Sequence, residues 1–392
     1  MVINLKFKHV ITAAMLSGFV SFVSFAQESD RLAPEVTAAE ANISFWDLPY
    51  LKEAFIDTTP ADRKDGLAVG DWEANGGNKA MILQLSQEIS DQKHGKYDSL
   101  LIARHGKLIF ESYYLRGRAD LPHFQASATK SHVSMIVGRA MQLGYLTMAD
   151  LDKPLVDFLK GMDPTKFVGG VEKITLHKAM TMSSGLRFSE EQFKVLRKDN
   201  GNQVQTFFEI STPITSDSQS YHYQSPDPIM VMQVLDTVVP GSAKDFIKNE
   251  LFDKLGSNVY SWPNDLSDLP KADEYAHITS RDMVKLGTLV THKGQWNGEQ
   301  LISPKYLANA TRKMTKVSED WQPDGFNYGY FWYQTDISVK DKSFDAKIAW
   351  GNGGQHIIAI TELDIVIVVT GHGREDTIMT QVSKIILPAL VK

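Results

Sequence analysis

The sequence predicts an α+β fold: an antiparallel sheet flanked by helices, with a second, mainly helical lobe. Three observations carry that prediction. Two β-rich runs, 99–104 and 107–113, flank His105-Gly106 and read as a hairpin. The middle of the chain has helical periodicity and few strand signals. The last section is strand-like, with closely spaced runs at 327–334, 346–350, 356–360 and the β-branched 365–370. Connections that short join antiparallel neighbours. The first hairpin and a terminal helix over 377–390 complete the sheet unit, and a cleft between the lobes would draw on both.

Residues 1–26 read as a secretory signal. Lys6 and Lys8 form a basic start, 11–25 is apolar, and Ser24-Phe25-Ala26 is a small-x-small cleavage site. The apolar run is too short and too broken by Ser and Thr for a membrane span, so no stable membrane anchor is expected. The mature chain is expected in the periplasm or outside the cell. There is no cysteine, hence no disulfide, thiolate metal site or lipid-modified N-terminal cysteine. A hydrophobic content of 43% with 22% charged residues fits a globular chain with a substantial core. The whole chain has 41 basic and 47 acidic residues; removing two lysines and no acids with the signal leaves 39 against 47, a net of −8. An acidic chain without a basic block argues against nucleic acid and anionic membranes as partners. The eleven histidines show no metal-binding spacing, and no metal or cofactor is expected.

Residues 27–95 read as an extended leader and a first helix at 81–89, and 96–392 as the main domain, with the helical lobe at about 130–255. An apolar helix runs from Ser127 to Leu143. A loop at 144–154 leads into a short helix at 155–159. The segment 174–182 reads as a capped helix stopped by Ser183-Ser184-Gly185. Residues 187–222 are polar and irregular. Helices follow at 229–235 and 243–255, and another begins with Thr279 or Ser280 as N-cap. Residues 294–299 form a turn. No repeat or low-complexity linker is present.

Chemistry concentrates at Ser127-Ala128-Thr129-Lys130. A serine three residues before a lysine places both side chains on one helical face, one turn apart. The unpaired N–H groups and positive dipole end of the first turn suit a developing oxyanion. A serine hydroxyl needs a base, and a lysine serves only when neutral, which burial favours. A second Ser-x-x-Lys, Ser90-Asp91-Gln92-Lys93, lies in a polar run with no apolar helix after it and reads as solvated surface. Gly-x-Ser-x-Gly is absent, which removes the α/β-hydrolase rival. A GK[ST] phosphate loop is absent as well.

With these segments the chain resembles the serine β-lactamase and penicillin-binding superfamily. It is most similar to the branch of class C β-lactamases, esterases of that fold and 6-aminohexanoate-dimer hydrolases. The likeness covers roughly residues 95–385. It rests on Ser127-Ala128-Thr129-Lys130, Met180-Thr181-Met182-Ser183-Ser184-Gly185-Leu186, Tyr223-Gln224-Ser225, His277-Ile278-Thr279-Ser280-Arg281-Asp282, Trp296-Asn297-Gly298 and Gly351-Asn352-Gly353-Gly354-Gln355. The resemblance implies a β-lactamase/transpeptidase-like fold with Ser127 as the acylated nucleophile and Lys130 beside it. Tyr223 matches the tyrosine of the family's Tyr-x-Asn motif and takes the general-base or proton-shuttle role. Which of Lys130 and Tyr223 is the base stays open. The strand motif Lys-Thr-Gly falls on Ala349-Trp350-Gly351 or just after it. By the family's offset the backbone N–H of Asn352 is the second oxyanion donor, with Gly353 as the alternative. Ser225, Trp350, Gly351 and Gly353 are then substrate-binding positions.

Two departures bear on substrate. Ser225 replaces the asparagine amide, and the Lys-Thr-Gly lysine and threonine are missing, with Lys347 at the wrong offset. Both favour an ester or simple amide over a β-lactam. The expected function is a secreted or periplasmic serine hydrolase acting through a Ser127 acyl-enzyme. One alternative is a β-lactamase or D-amino-acid-specific peptidase, and another is a penicillin-binding-like sensor without turnover. The expected partner is a small ester or amide. The aromatics Trp296, Tyr330, Trp332 and Trp350 and the histidines His277, His356 and His372 are further residues that could line the cleft.

Overall fold

The computed structural model describes residues 32–196 and 203–391; the expected signal segment, 1–26, lies outside them. The leader contributes two short strands, β1 (Phe55–Asp57) and β2 (Ala68–Val69). Helix α1 (Lys79–Ser90) follows, with the Asn78 side chain accepting from the Met81 N–H as its cap. Strands β3 (Tyr97–Arg104) and β4 (Lys107–Tyr113) form the expected hairpin. His105 and Gly106 both have positive φ, 53° and 67°, the backbone that matches a two-residue turn to the strand twist.

Strand β5 (His123–Phe124) precedes helix α2 (Ala128–Gln142), the expected apolar helix. The helical lobe adds α3 (Leu176–Met180), α4 (Glu190–Leu196), α5 (Gln203–Ile210) and α6 (Pro226–Val238). The 243–255 helix is α7 (Ala243–Ile247) and α8 (Asp253–Leu255), joined through a π-turn at Lys248–Phe252. Next come β6 (Tyr260–Ser261), β7 (His277–Ile278) and α9 (Ser280–Thr291), for which Thr279 is the N-cap. The turn at 294–299 is a small hairpin of β8 (Gln295–Trp296) and β9 (Glu299–Gln300), followed by α10 (Pro304–Ala310). The last section holds β10 (Thr315–Lys316), β11 (Asn327–Tyr328), β12 (Tyr333–Val339), β13 (Lys342–Gly351), β14 (Gln355–Ile360), β15 (Ile365–Gly371), α11 (Ile378–Gln381) and α12 (Leu387–Leu390).

Three expected elements are corrected. The 327–334 strand is broken at Gly329–Trp332, because Phe331 turns left-handed (φ 60°) and donates its N–H to Met180. The 155–159 helix is a single 3₁₀ turn, Leu155–Phe158. The 174–182 helix has five residues, ended by Met182 at φ 54°.

The strands pair in the order β1-β4-β3-β15-β14-β13-β12-β11-β10, all antiparallel, with β2 parallel to β4. The opening hairpin therefore joins the C-terminal strands through β3–β15, where Ile102 faces Ile367. Strands β14 and β15 are buried along their whole length, as β-branched strands covered on both faces are. Helix α9 lies on β3, β14 and β15, and α2 lies against β13 and β14. This places the head of α2 beside the end of β13, with α6 and the Tyr223 turn on its other side.

Candidate active site

Helix α2 starts abruptly. Ala126 is held left-handed at φ 45°, a conformation that costs a non-glycine residue roughly 1–2 kcal/mol. Strain of that kind persists where the surroundings fix it, often at functional sites. The turn leaves Ser127 as N-cap in helical geometry, its side chain not used for capping. Its Oγ lies 3.1 Å from the Lys130 Nζ. The second partner of Nζ is the Asp273 carbonyl oxygen at 2.6 Å. The lysine is almost fully buried and has no carboxylate partner among the described residues. Nζ is thereby held between the Asp273 carbonyl and the Ser127 hydroxyl.

Tyr223 joins this pair. The Lys130 Nζ sits 4.9 Å from its ring centroid. The turn carrying Tyr223 is anchored on three sides. The His222 N–H donates to the Met182 carbonyl, the Tyr223 N–H donates to Glu319 at 3.0 Å, and Gln224 donates to Asp227 at 2.9 Å. Asp227 is fully buried. Its Oδ1 also accepts from Ser184 at 2.6 Å, while Oδ2 has no hydrogen-bond partner among the described residues. Burial pushes this carboxyl up to about 7, against the pull of those two donors. Around Tyr223 stand Trp321, Tyr328 and Tyr333, at ring separations of 5.4, 6.1 and 6.3 Å. Burial keeps the phenols of Tyr328 and Tyr333 well above their usual range, so both stay neutral.

The end of β13 closes the site. A Cβ on Gly351 would fall 2.1 Å from the Gln125 carbonyl oxygen and 3.1 Å from the Ala128 nitrogen. Only glycine lets this strand reach the head of α2. Asn352 follows in the turn to β14, completed by Gly353 at φ 90°. The N–H groups of Ser127 and Asn352 have no backbone acceptor among the described residues. They remain free to meet an oxyanion. Trp350 leans on Tyr333 at 5.4 Å and stacks on His356 at 5.8 Å.

Asn352 and Gly353 also open onto a cavity of about 540 Å³. Its walls include Phe45 and Trp46 of the leader, Phe124, Tyr275 and His277. His372 lines it too, and with His123 donates to Asp98 at 2.7 and 3.0 Å. Burial alone would raise Asp98, but these two donors hold it below the usual carboxylate range.

Of the expected residues, Ser127, Lys130 and Tyr223 lie together, with Trp350, Gly351, Asn352 and Gly353 bordering them. Ser225 is exposed as the N-cap of α6, with no capping bond from its side chain. Tyr330 and Trp332 are buried core, His356 is buried and paired with Asp376, and Trp296 lines a separate polar cavity beside Arg281. Sequence reasoning missed Asp227, Glu319 and Trp321. The acid of Pro226-Asp227-Pro228 at the head of an apolar helix was a signal for the first; the loop at 317–325 offered none. Among the described residues no group of three or more acidic or histidine side chains could hold a metal ion.

A serine–lysine pair at the head of a helix, set against a large antiparallel sheet and faced by a tyrosine, defines the β-lactamase/transpeptidase class of fold. The chain belongs to the Beta-lactamase family, whose model matches residues 84–379. Solved structures share the fold at low identity. A provisionally assigned 6-aminohexanoate-dimer hydrolase from Bacillus anthracis is 15% identical, with a TM-score of 0.61, over 91% of this chain and 95% of that one. A class C β-lactamase is 15% identical, with a TM-score of 0.59, over 80% and 96%. A D-stereospecific amidohydrolase from Streptomyces sp. is 14% identical, with a TM-score of 0.57, over 78% and 98%. No curated protein matches the chain.

Proposed function

We propose that this protein is a secreted or periplasmic serine hydrolase that cleaves carboxylic esters or small amides through a Ser127 acyl-enzyme. The observation that carries the reading is the 3.1 Å contact between Ser127 and a buried Lys130 with no acidic partner among the described residues, beside Tyr223. In acylation, Ser127 Oγ attacks the substrate carbonyl carbon as its proton passes to the Lys130–Tyr223 pair. The N–H groups of Ser127 and Asn352 hold the oxyanion. The carbon–leaving-group bond breaks, and the leaving group takes a proton from Tyr223. Water then adds to the acyl carbon, gives its proton to the same pair, and the acid departs as Oγ is reprotonated.

Residue chemistry favours esters and simple amides over β-lactams. Ala349 and Trp350 stand where a lysine and a threonine would meet a substrate carboxylate, and Lys347 is engaged with Asp345 at 3.1 Å. The test is mass spectrometry of the mature chain after brief exposure to a p-nitrophenyl ester, a D-alanyl amide, 6-aminohexanoate dimer and a cephalosporin, with Ser127→Ala as control. Rapid ester turnover, lost in the variant, is the expected result. A cephalosporin adduct that persists would instead favour a penicillin-binding or sensor role, and preferred turnover of the D-alanyl amide a D-amino-acid-specific amidase. No adduct and no product with any of the four would overturn the nucleophile assignment.

A further inference from the structure

The loop between β10 and β11 carries an unusual pairing of firm anchorage and exposed aromatic surface. Glu319 accepts the Tyr223 N–H and faces the His222 ring nitrogen at 3.2 Å. Gln322 donates to the Tyr221 and Tyr333 hydroxyls at 2.7 and 2.9 Å. Trp321 lies between these two anchors and is still 57% exposed. A tryptophan on an anchored loop normally turns its ring inward, because burial of so large an apolar surface is favourable. Here the ring stands edge-on to Tyr223 at 5.4 Å and 6.2 Å from Trp350. On the mechanism proposed above the group that takes its proton from the Tyr223 hydroxyl lies close to that residue, and Trp321 is an exposed ring packed edge-on against it. The charged residues of 317–325 are Glu319, Asp320 and Asp324, all acidic, so an anionic group is disfavoured there.

We infer that Trp321, held upright by Glu319 and Gln322, forms a leaving-group subsite for a flat, uncharged aromatic group. The substrates it selects are aryl esters or aryl amides. The inference rests on Ser127 and Tyr223 acting as proposed above, and it names which part of the substrate the cleft distinguishes. Stacking on an exposed indole acts on the bound ground state as much as on the transition state, so its loss appears in KM.

The experiment compares the full mature chain with Trp321→Ala and Trp321→Phe on 2-naphthyl butyrate, methyl butyrate and the anionic 4-butyryloxybenzoate. The KM for the naphthyl ester should rise roughly tenfold in Trp321→Ala with kcat kept, and most of the loss should be recovered in Trp321→Phe. Methyl butyrate should change by no more than about twofold, and the anionic ester should be the poorer of the two aryl substrates for the wild type. Binding of 2-naphthyl butyrate is measured separately by calorimetry in the Ser127→Ala background, with and without Trp321→Ala. Equal losses on methyl and naphthyl esters would mean that Trp321 only props Tyr223, and would overturn the subsite. So would an unchanged naphthyl KM. Hydrolysis by the wild type without Trp321 dependence sinks the subsite alone. Trp321-dependent binding without hydrolysis upholds an aromatic binding site at Trp321 but sinks the serine hydrolase reading and, with it, the leaving-group role.

Discussion

Asp227 shows how a single buried group can tie stability to pH. Its carboxyl links the Ser184 hydroxyl to the amide of Gln224, the neighbour of Tyr223, and its second oxygen has no partner among the described residues. Its folded value, about 7, lies above the ordinary 3.8. Between those two values the unfolded chain has released this proton and the folded chain still binds it. Stability therefore falls as pH rises through that window, by up to about 1.4 kcal/mol per pH unit from this one group. Below the window both states are protonated, and above about 7 the loss is complete. Asp227→Asn keeps the accepting oxygen and removes the titration. Urea unfolding of wild type and variant at pH 5 and pH 8 should show a wild-type decline that flattens in the variant. An identical pH slope in both would rule Asp227 out as its source. The other charged or titratable groups that act on this carboxylate are Arg187 and the neutral Tyr328, and neither changes charge in that range.

Strand β13 and helix α2 meet as elements at a contact that admits only glycine. Gly351→Ala would drive a methyl group into the Gln125 carbonyl oxygen, which cannot yield without shifting the turn that carries Ser127. On the proposed mechanism, separating the two elements would withdraw the Asn352 N–H from the oxyanion. The expected result is a fall of about 10²–10³ in kcat for any substrate, with the circular dichroism of the folded chain retained. Activity within a few-fold of wild type would move the donor role away from Asn352. The two elements of this contact were readable in the sequence, because α2 has an unbroken apolar period and β13 has β-rich residues ending at glycine. The segment His277-Ile278-Thr279-Ser280-Arg281-Asp282 was readable as a motif, yet its Arg281 is structural. It is buried with Asp65 of the leader and Glu111 of β4, at 2.7 Å from each. What could not be read was any partnership across sequence distance. Tyr223 finds Glu319 96 residues away, and Lys130 finds the Asp273 carbonyl 143 residues away, through a backbone atom that carries no sequence signal. The break at Gly329–Trp332 was hidden for the same reason, since the Met180 carbonyl that captures the Phe331 N–H belongs to the other lobe.

At the scale of the whole molecule the leader is part of the cleft. Arg116, just past β4, donates to the Trp46 carbonyl at 2.8 Å and the Leu48 carbonyl at 3.1 Å. Its guanidinium also lies over the rings of Phe45, Trp46 and Tyr50, at 4.7 Å from the last. Arg118 adds the Pro49 carbonyl and an ion pair with Glu40, whose carboxyl it holds down to about 2. Phe45 and Trp46 are thereby fixed as one wall of the cavity that begins at Asn352. Because 43–51 is exposed apart from Phe45, Leu48 and Leu51, release of this strap should be local rather than global. Arg116→Ala should speed thermolysin cleavage within 44–51 at least several-fold while the main thermal transition moves by only a few degrees. Substrates whose acyl part fills the cavity should show a raised KM, and small acetate esters should show little change. Unchanged proteolysis would mean that the aromatic contacts hold the strap without the cation. Faster cleavage with no change in KM for long-chain esters would separate the strap from substrate binding. The strap matters to the reaction only if both move together, because a single arginine then sets the order of the leader and the shape of the cavity at once.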